Sequence, residues 1–301
     1  MPAVIRRRMC VLVSIALCAA LMLSTVAAQT PKPYAPGSSP AASNPDPNTP
    51  RTLDALDSVF IEELTWLEVR DAIKAGKKTV IVATSGIEQS GPYLAVGKHT
   101  YILRATTEAI ARKLGDALVA PMITLVPEGN FDPPTSGMRY PGTVGVQVDT
   151  FKRVVADVAT AMRTNGFERI VLIGDHGSTQ TPMREVASEL SGAWTGAKTR
   201  IQFIAEYYDY PGLSKWAESL GIKEDDEGLH DSYVITAMMM VVDPTTVRMK
   251  QRMAKNTFVI NTVPLAPAAK TIANGKKLID FVATRTVAGV RKAFGPQGAQ
   301  Q

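Results

Sequence analysis

The chain has 301 residues, with 33 Lys and Arg against 28 Asp and Glu, a net charge of +5 at pH 7, two cysteines and three histidines. Both cysteines, Cys10 and Cys18, and the triplet Arg6, Arg7 and Arg8 fall within the first 28 residues. Without that segment the chain has no thiol and 30 basic residues (33 less three) against 28 acidic ones. That excludes disulfides, a thiolate nucleophile and thiolate metal ligands, and leaves no charge argument for a nucleic-acid partner.

Residues 1–28 have the three-part layout of a secretory signal peptide: a basic start, an apolar run over 9–23, and Val26-Ala27-Ala28 before Gln29. Cleavage near Ala28 places the mature protein in the periplasm or outside the cell. The run is short for a membrane span and a polar stretch follows it, so no stable membrane anchor is expected. Residues 29–52 are rich in Pro, Ser, Asn and Ala, the composition of a flexible linker. The remainder, 53–301, suits one large α/β domain or two closely joined lobes.

Within it, Thr65 and Glu68 have capping-box spacing at the start of a helix that ends near Gly76. Residues 79–84, Thr-Val-Ile-Val-Ala-Thr, read as a strand buried on both faces. A helix is expected over 100–114, a strand over 117–125, and a helix over 149–164 closed by Asn165-Gly166. A strand over 169–174, a helix reaching 190, a strand over 201–205 and an apolar helix over 233–242 follow; in the last, Met238, Met239 and Met240 read as core filler. Strands alternating with helices predict a three-layer α/β/α sandwich around a mostly parallel sheet.

In such sheets ligand chemistry gathers at the carboxyl ends of the strands. Glu88 follows the first strand by four residues, within the Gly-rich loop Gly86 to Pro92, and His176 follows a later strand between Gly174 and Gly177. His99 comes eleven residues after Glu88, at the expected start of a helix. Glu88, His99 and His176 form a His2Glu set, which leaves a fourth zinc position open for water. His230, before Asp231 and an apolar helix, reads as a proton shuttle or a further ligand, with the shuttle favoured because three ligands are already present. Glu128 and Glu206 also follow apolar runs. The Pro- and Gly-rich loop over 127–143 reads as a pocket wall, with Arg139 and Tyr140 as substrate contacts. Tyr207, Tyr208 and Tyr210 are either a second wall or aromatic packing at a strand end.

These segments resemble the creatininase (creatinine amidohydrolase) family. Its Gly-Ser-x-Glu-Gln-His-Gly-Pro-His pattern is met by Ser85-Gly86-Ile87-Glu88-Gln89-Ser90-Gly91-Pro92-Tyr93, and its Asn-Gly-His-Gly-Gly-Asn by Gly174-Asp175-His176-Gly177-Ser178-Thr179. Its Gly-x-His-Ala-Gly followed by Glu-Thr-Ser is met by Gly228-Leu229-His230-Asp231-Ser232 and then Ile235-Thr236, and its Phe-Pro-Gly-Thr by Tyr140-Pro141-Gly142-Thr143. The resemblance runs from about Leu64 to beyond Pro244. It implies an α/β/α hydrolase, often hexameric, that binds two divalent metals and opens cyclic or linear amide C–N bonds.

The family's motifs carry over in part. Glu88 and His176 match metal ligands, but Ser90 stands for the first motif's His, His99 for the bridging Asp, and Ser178 for the acidic ligand two residues after the central His. The expectation is one cation, Zn2+ in the first instance and Mn2+ or Fe2+ otherwise, on Glu88, His99 and His176. His230 occupies the catalytic His position, and Leu229 replaces its acidic neighbour. Glu128, Asp175 or Asp231 is then the acid that assists His230, and Tyr93 and Ser178 join Arg139 and Tyr140 as substrate contacts. The resemblance implies an exported, homo-oligomeric metal-dependent amidohydrolase with a small-molecule amide substrate other than creatinine. Ser90, Ser178, Leu229 and Ile235 favour the alternative, a catalytically inactive member of the fold that binds a small ligand or metal. A scaffold protein has little beyond the linker to support it.

Overall fold

The structure, a computed structural model, describes residues 45–295. The expected signal peptide and residues 29–44 of the expected linker lie outside the described residues. In 45–49 the Asp46 carboxylate accepts from Asn48 N at 2.8 Å, making a local turn. The compact unit begins at Pro50.

That unit is built on a four-stranded parallel sheet of β1 (Thr79–Thr84), β2 (Ala117–Val119), β3 (Arg169–Gly174) and β4 (Arg200–Phe203), in the order β2-β1-β3-β4. Every residue of β1 is buried, and the two-residue period divides them between two cores. Val80 and Val82 pack with Phe151, Val155 and Ala159 of α3 (Val148–Thr164) and with Met183 and Val186 of α4 (Gln180–Ala193). Ile81 and Ala83 pack with Ile102, Leu103 and Ile110 of α2 (Lys98–Leu114), with Met238 and Met239 of α6 (Tyr233–Val242), and with Leu278 and Val282 of α8 (Ala268–Phe294). Helices therefore cover both faces, giving three α/β/α layers. Each fully buried Val or Ile contributes roughly 1.5–3 kcal/mol through lost apolar hydration, so this one strand anchors both layers.

Local chemistry sets the element ends. Helix α1 (Trp66–Lys74) starts at a reciprocal capping box between Thr65 and Glu68. The strand expected over 117–125 stops at Val119, and pairing resumes only as a bridge between Ile123 and Thr84. The strand expected over 201–205 is Arg200–Phe203, since residues 205–207 turn into a short 3-10 helix. Helices α5 (Tyr210–Ser219) and α7 (Met249–Ala254), the antiparallel pair β5 (Val259–Ile260) and β6 (Val263–Pro264), and the 27-residue α8 have no counterpart in the sequence reading. No helix among the described residues is long and apolar enough to cross a membrane.

Candidate metal centre

From β1 the chain passes to β2 on one side and returns to β3 on the other. The crevice at the carboxyl ends of β1 and β3 is thus a topological switch point, where open parallel sheets bind ligands. Glu88 reaches it from the loop after β1, His99 from the first turn of α2, and His176 from the residues just after β3. Gly174 is required there by space: a Cβ would come within 2.4 Å of Met183 and 2.5 Å of Thr179. His176 itself is in extended backbone, so the close packing of Gly174 and not a left-handed turn brings the ring to the crevice.

The three side chains converge on one oxygen. Glu88 Oε1 lies 2.8 Å from His99 Nε2 and 3.3 Å from His176 Nε2, and one donor atom from each residue falls within 4.8 Å of the others. Each imidazole is held from its far side, as metal-binding histidines are. His99 Nδ1 is 2.8 Å from Asp175 Oδ2, and Tyr210 OH donates to Asp175 Oδ1 at 3.0 Å. His176 Nδ1 is 2.7 Å from Ser178 Oγ, whose hydroxyl donates to Pro127 O at 2.5 Å. Glu128, from the loop after β2, brings Oε2 to 3.2 Å from His176 Nε2.

Lys98 and His230 complete the constellation. Lys98 Nζ lies 3.4 Å from both Glu88 Oε1 and His230 Nε2, and donates to His230 O at 3.3 Å. His230 Nδ1 is 3.2 Å from Gln89 O. A carbonyl only accepts, so Nδ1 carries the proton and Nε2 turns its lone pair toward the crevice, 3.6 Å from Glu88 Oε1. His230 adopts φ 64°, a left-handed backbone that costs a non-glycine residue of order 1–3 kcal/mol and collects at functional sites.

Burial opposes ionisation of Glu88, yet hydrogen bonds from His176 and His99 and the Lys98 ammonium hold its carboxyl far below the usual range. Burial also opposes protonation of His176, but the carboxylates of Glu128 and Glu88 override it and raise its pKa to about 9. Burial, then the Lys98 charge, pushes His230 below its ordinary value, so it is neutral at pH 7. Burial lowers Lys98, against the pull of Glu88.

The residues fit a divalent cation. Glu88, Glu128 and Asp175 are 5%, 3% and 2% exposed, and the single buried ammonium beside them, Lys98, is 1% exposed. With both imidazoles neutral, as ligands must be, and the His176 proton displaced, three carboxylates against one ammonium leave two negative charges, which one divalent cation balances. Burying such an excess without a partner costs several kcal/mol per ion. Beside these side chains is a cavity of about 480 Å³ lined by Lys98, His99, Asp175, Tyr208, Tyr210 and His230, among others, which suits a small molecule.

Not all candidate residues meet here. Asp175 is engaged by His99 and Tyr210, and Glu128 lies against His176, so the contacts of His230 are Lys98, Glu88 and Gln89 and not the acids expected to assist it. Asp231 is buried with Oδ1 unpartnered. Tyr93 lies under the Arg252 guanidinium, 4.4 Å from it, and Arg139 and Tyr140 stack on each other at 5.6 Å on exposed loop surface. Ser178 orients His176, and Glu206 is exposed. Sequence reasoning missed Lys98 and the role of Tyr210. The signal for Lys98 was its place between Gly97 and His99.

The sequence profile of the family described as creatininase, creatinine amidohydrolase, matches residues 62–288, well over half of the chain. A creatinine amidohydrolase of Pseudomonas putida is 27% identical over 119 residues, 40% of this chain and 45% of that protein. The aligned stretch thus spans under half of that relative's length. A crystal structure of a creatinine amidohydrolase (creatininase) aligns with a TM-score of 0.59 at 19% identity, covering 80% of this chain and 100% of its own. A mutant creatininase described as of Zn–Zn type aligns with a TM-score of 0.57 at 20% identity, covering 80% and 100%. At these identities the structures establish a common fold.

Proposed function

The chain belongs to the creatininase family, and from that premise we propose that it is a metal-dependent amidohydrolase that cleaves the C–N bond of a small cyclic or linear amide at a one-cation site. The observation that carries this reading is the convergence of His99 Nε2 and His176 Nε2 on Glu88 Oε1, with His230 Nε2 at 3.6 Å on the open side. Glu88, His99 and His176 hold the cation, which is Zn2+ in the first instance and Mn2+ or Fe2+ otherwise. When bound, such a cation lowers the pKa of water toward 7 and polarises a carbonyl.

The chain's own groups do the rest. Asp175 and Tyr210 fix the His99 ring, and Ser178 fixes that of His176. His230 enters the reaction neutral, accepts on Nε2 the proton that water loses as its oxygen adds to the amide carbon, and delivers it to the departing nitrogen as the C–N bond breaks. Lys98, against the same Nε2, disfavours a lasting charge on His230 and so promotes that delivery. The Tyr208 and Tyr210 side of the cavity limits the substrate to a small molecule. Residues 1–28 direct export, with cleavage near Ala28 and a periplasmic or secreted, homo-oligomeric mature protein.

One observation favours a catalytically inactive binding protein instead: the Lys98 ammonium already meets Glu88 Oε1 at 3.4 Å. Hydrolysis of a panel of small cyclic and linear amides by metal-stripped and metal-reconstituted mature protein separates the two. Turnover that appears only on reconstitution is expected. Bound metal with no turnover across the panel would establish the binding protein.

A further inference from the structure

Glu128 is the acid against the His176 ring that keeps one oxygen unpartnered. Its Oε1 is buried with no hydrogen-bond partner, while Oε2 meets His176 Nε2 at 3.2 Å. Leaving a buried carboxylate oxygen unpaired is costly, yet the surroundings are shaped to hold it there. Three glycines from separate segments close on the side chain: a Cβ at Gly86 would lie 3.1 Å from Oε1, one at Gly137 3.2 Å from Oε2, and one at Gly145 2.9 Å from the Glu128 Cβ. A Cβ at Gly86 or Gly137 would make the carboxylate give by a few tenths of an ångström, and one at Gly145 would force a shift at the base of the side chain. Ser178 sets the register, since its hydroxyl touches His176 Nδ1 at 2.7 Å and donates to the carbonyl of Pro127, the residue before Glu128, at 2.5 Å. One serine therefore ties the Glu128 loop to the imidazole that Glu128 and Glu88 share.

We propose that Glu128 is a fourth protein ligand of the cation, making the centre a two-histidine, two-glutamate site; this rests on the one-cation reading above. Two carboxylates make the donor set richer in oxygen than His2Glu. Oxygen donors suit Mn2+ better than Zn2+, whereas imidazole suits both zinc and iron. Four protein ligands would close a four-coordinate zinc site to water, so Glu128 biases the site towards Mn2+, which takes six ligands and still admits the water that the reaction needs.

The test is calorimetric titration of Mn2+ and of Zn2+ into metal-stripped mature protein, wild type and Glu128→Gln, with the ligand-field spectrum of the Co2+ form as a second readout. Glu128→Gln is expected to weaken Mn2+ at least about tenfold, to weaken Zn2+ less, and to shift the Co2+ spectrum at unchanged stoichiometry. Should that variant fail to fold, Glu128→Asp keeps the charge but shortens the reach, and is expected to lose Mn2+ affinity in the same direction. Wild-type affinities and an unchanged Co2+ spectrum in a folded variant would overturn the assignment and leave the one-cation reading intact. A wild-type protein that takes up no cation would fail that reading first.

Discussion

The two ends of the central strands handle charge in opposite ways. At the amino ends of β1 and β3, Asp116 accepts from Thr79 Oγ1 at 3.0 Å and pairs with Arg169, which also donates to Thr79 through Nε at 2.9 Å. One acid meets one base, and the group is partly exposed. At the carboxyl ends, three buried carboxylates share one buried ammonium and the imidazoles of His99 and His176. The first arrangement closes on itself and needs nothing more. The second is short of positive charge where its carboxylates are buried, which is the physical mark of a site for a cation rather than of a structural ion pair.

Breaking the carboxyl-end cluster is expected to cost most. His176→Ala should abolish stoichiometric metal binding, and His99→Ala should reduce it, both read by metal analysis after reconstitution. His230→Ala should keep its metal and lower turnover of any amide found as substrate by about 10²–10⁴-fold; loss of metal in that variant would make His230 a ligand instead. Asp175→Asn leaves the His99 ring without its carboxylate and should weaken metal binding by about 10- to 100-fold. At the amino end, Asp116→Asn should lower stability by about 1–2 kcal/mol in a denaturant melt and leave metal affinity unchanged. Weakened metal binding in that last variant would erase the contrast between the two ends.

Much of the sheet was legible because its chemistry is local. The run over 79–84 has one explanation, burial on both faces, and β1 occupies those residues. Strand β3 and helix α6 likewise lie at 169–174 and 233–242. Helix α8 was not read: its buried stripe, Leu278, Val282, Thr286, Val290, is diluted by Thr and Gly and has no side-chain cap to mark its start. At the site, histidines beside strand ends point to themselves, because few such residues occur and each sits in a short motif. Lys98 does not, since a lysine in one sequence looks like a surface lysine until burial is seen. The meeting of Glu128 with His176 joins residues 48 apart through the packing of three glycines, and the left-handed backbone of His230 is a tertiary outcome. Local patterns identify which groups carry chemistry; only packing decides which of them touch.

The most direct test of the one-cation claim is the metal content of purified mature protein after stripping and reconstitution with Zn2+, Mn2+ and Fe2+ in turn. The geometry predicts one cation per chain for the preferred metal, lost in His176→Ala. Two cations per chain, or none with any of the three metals, would contradict it.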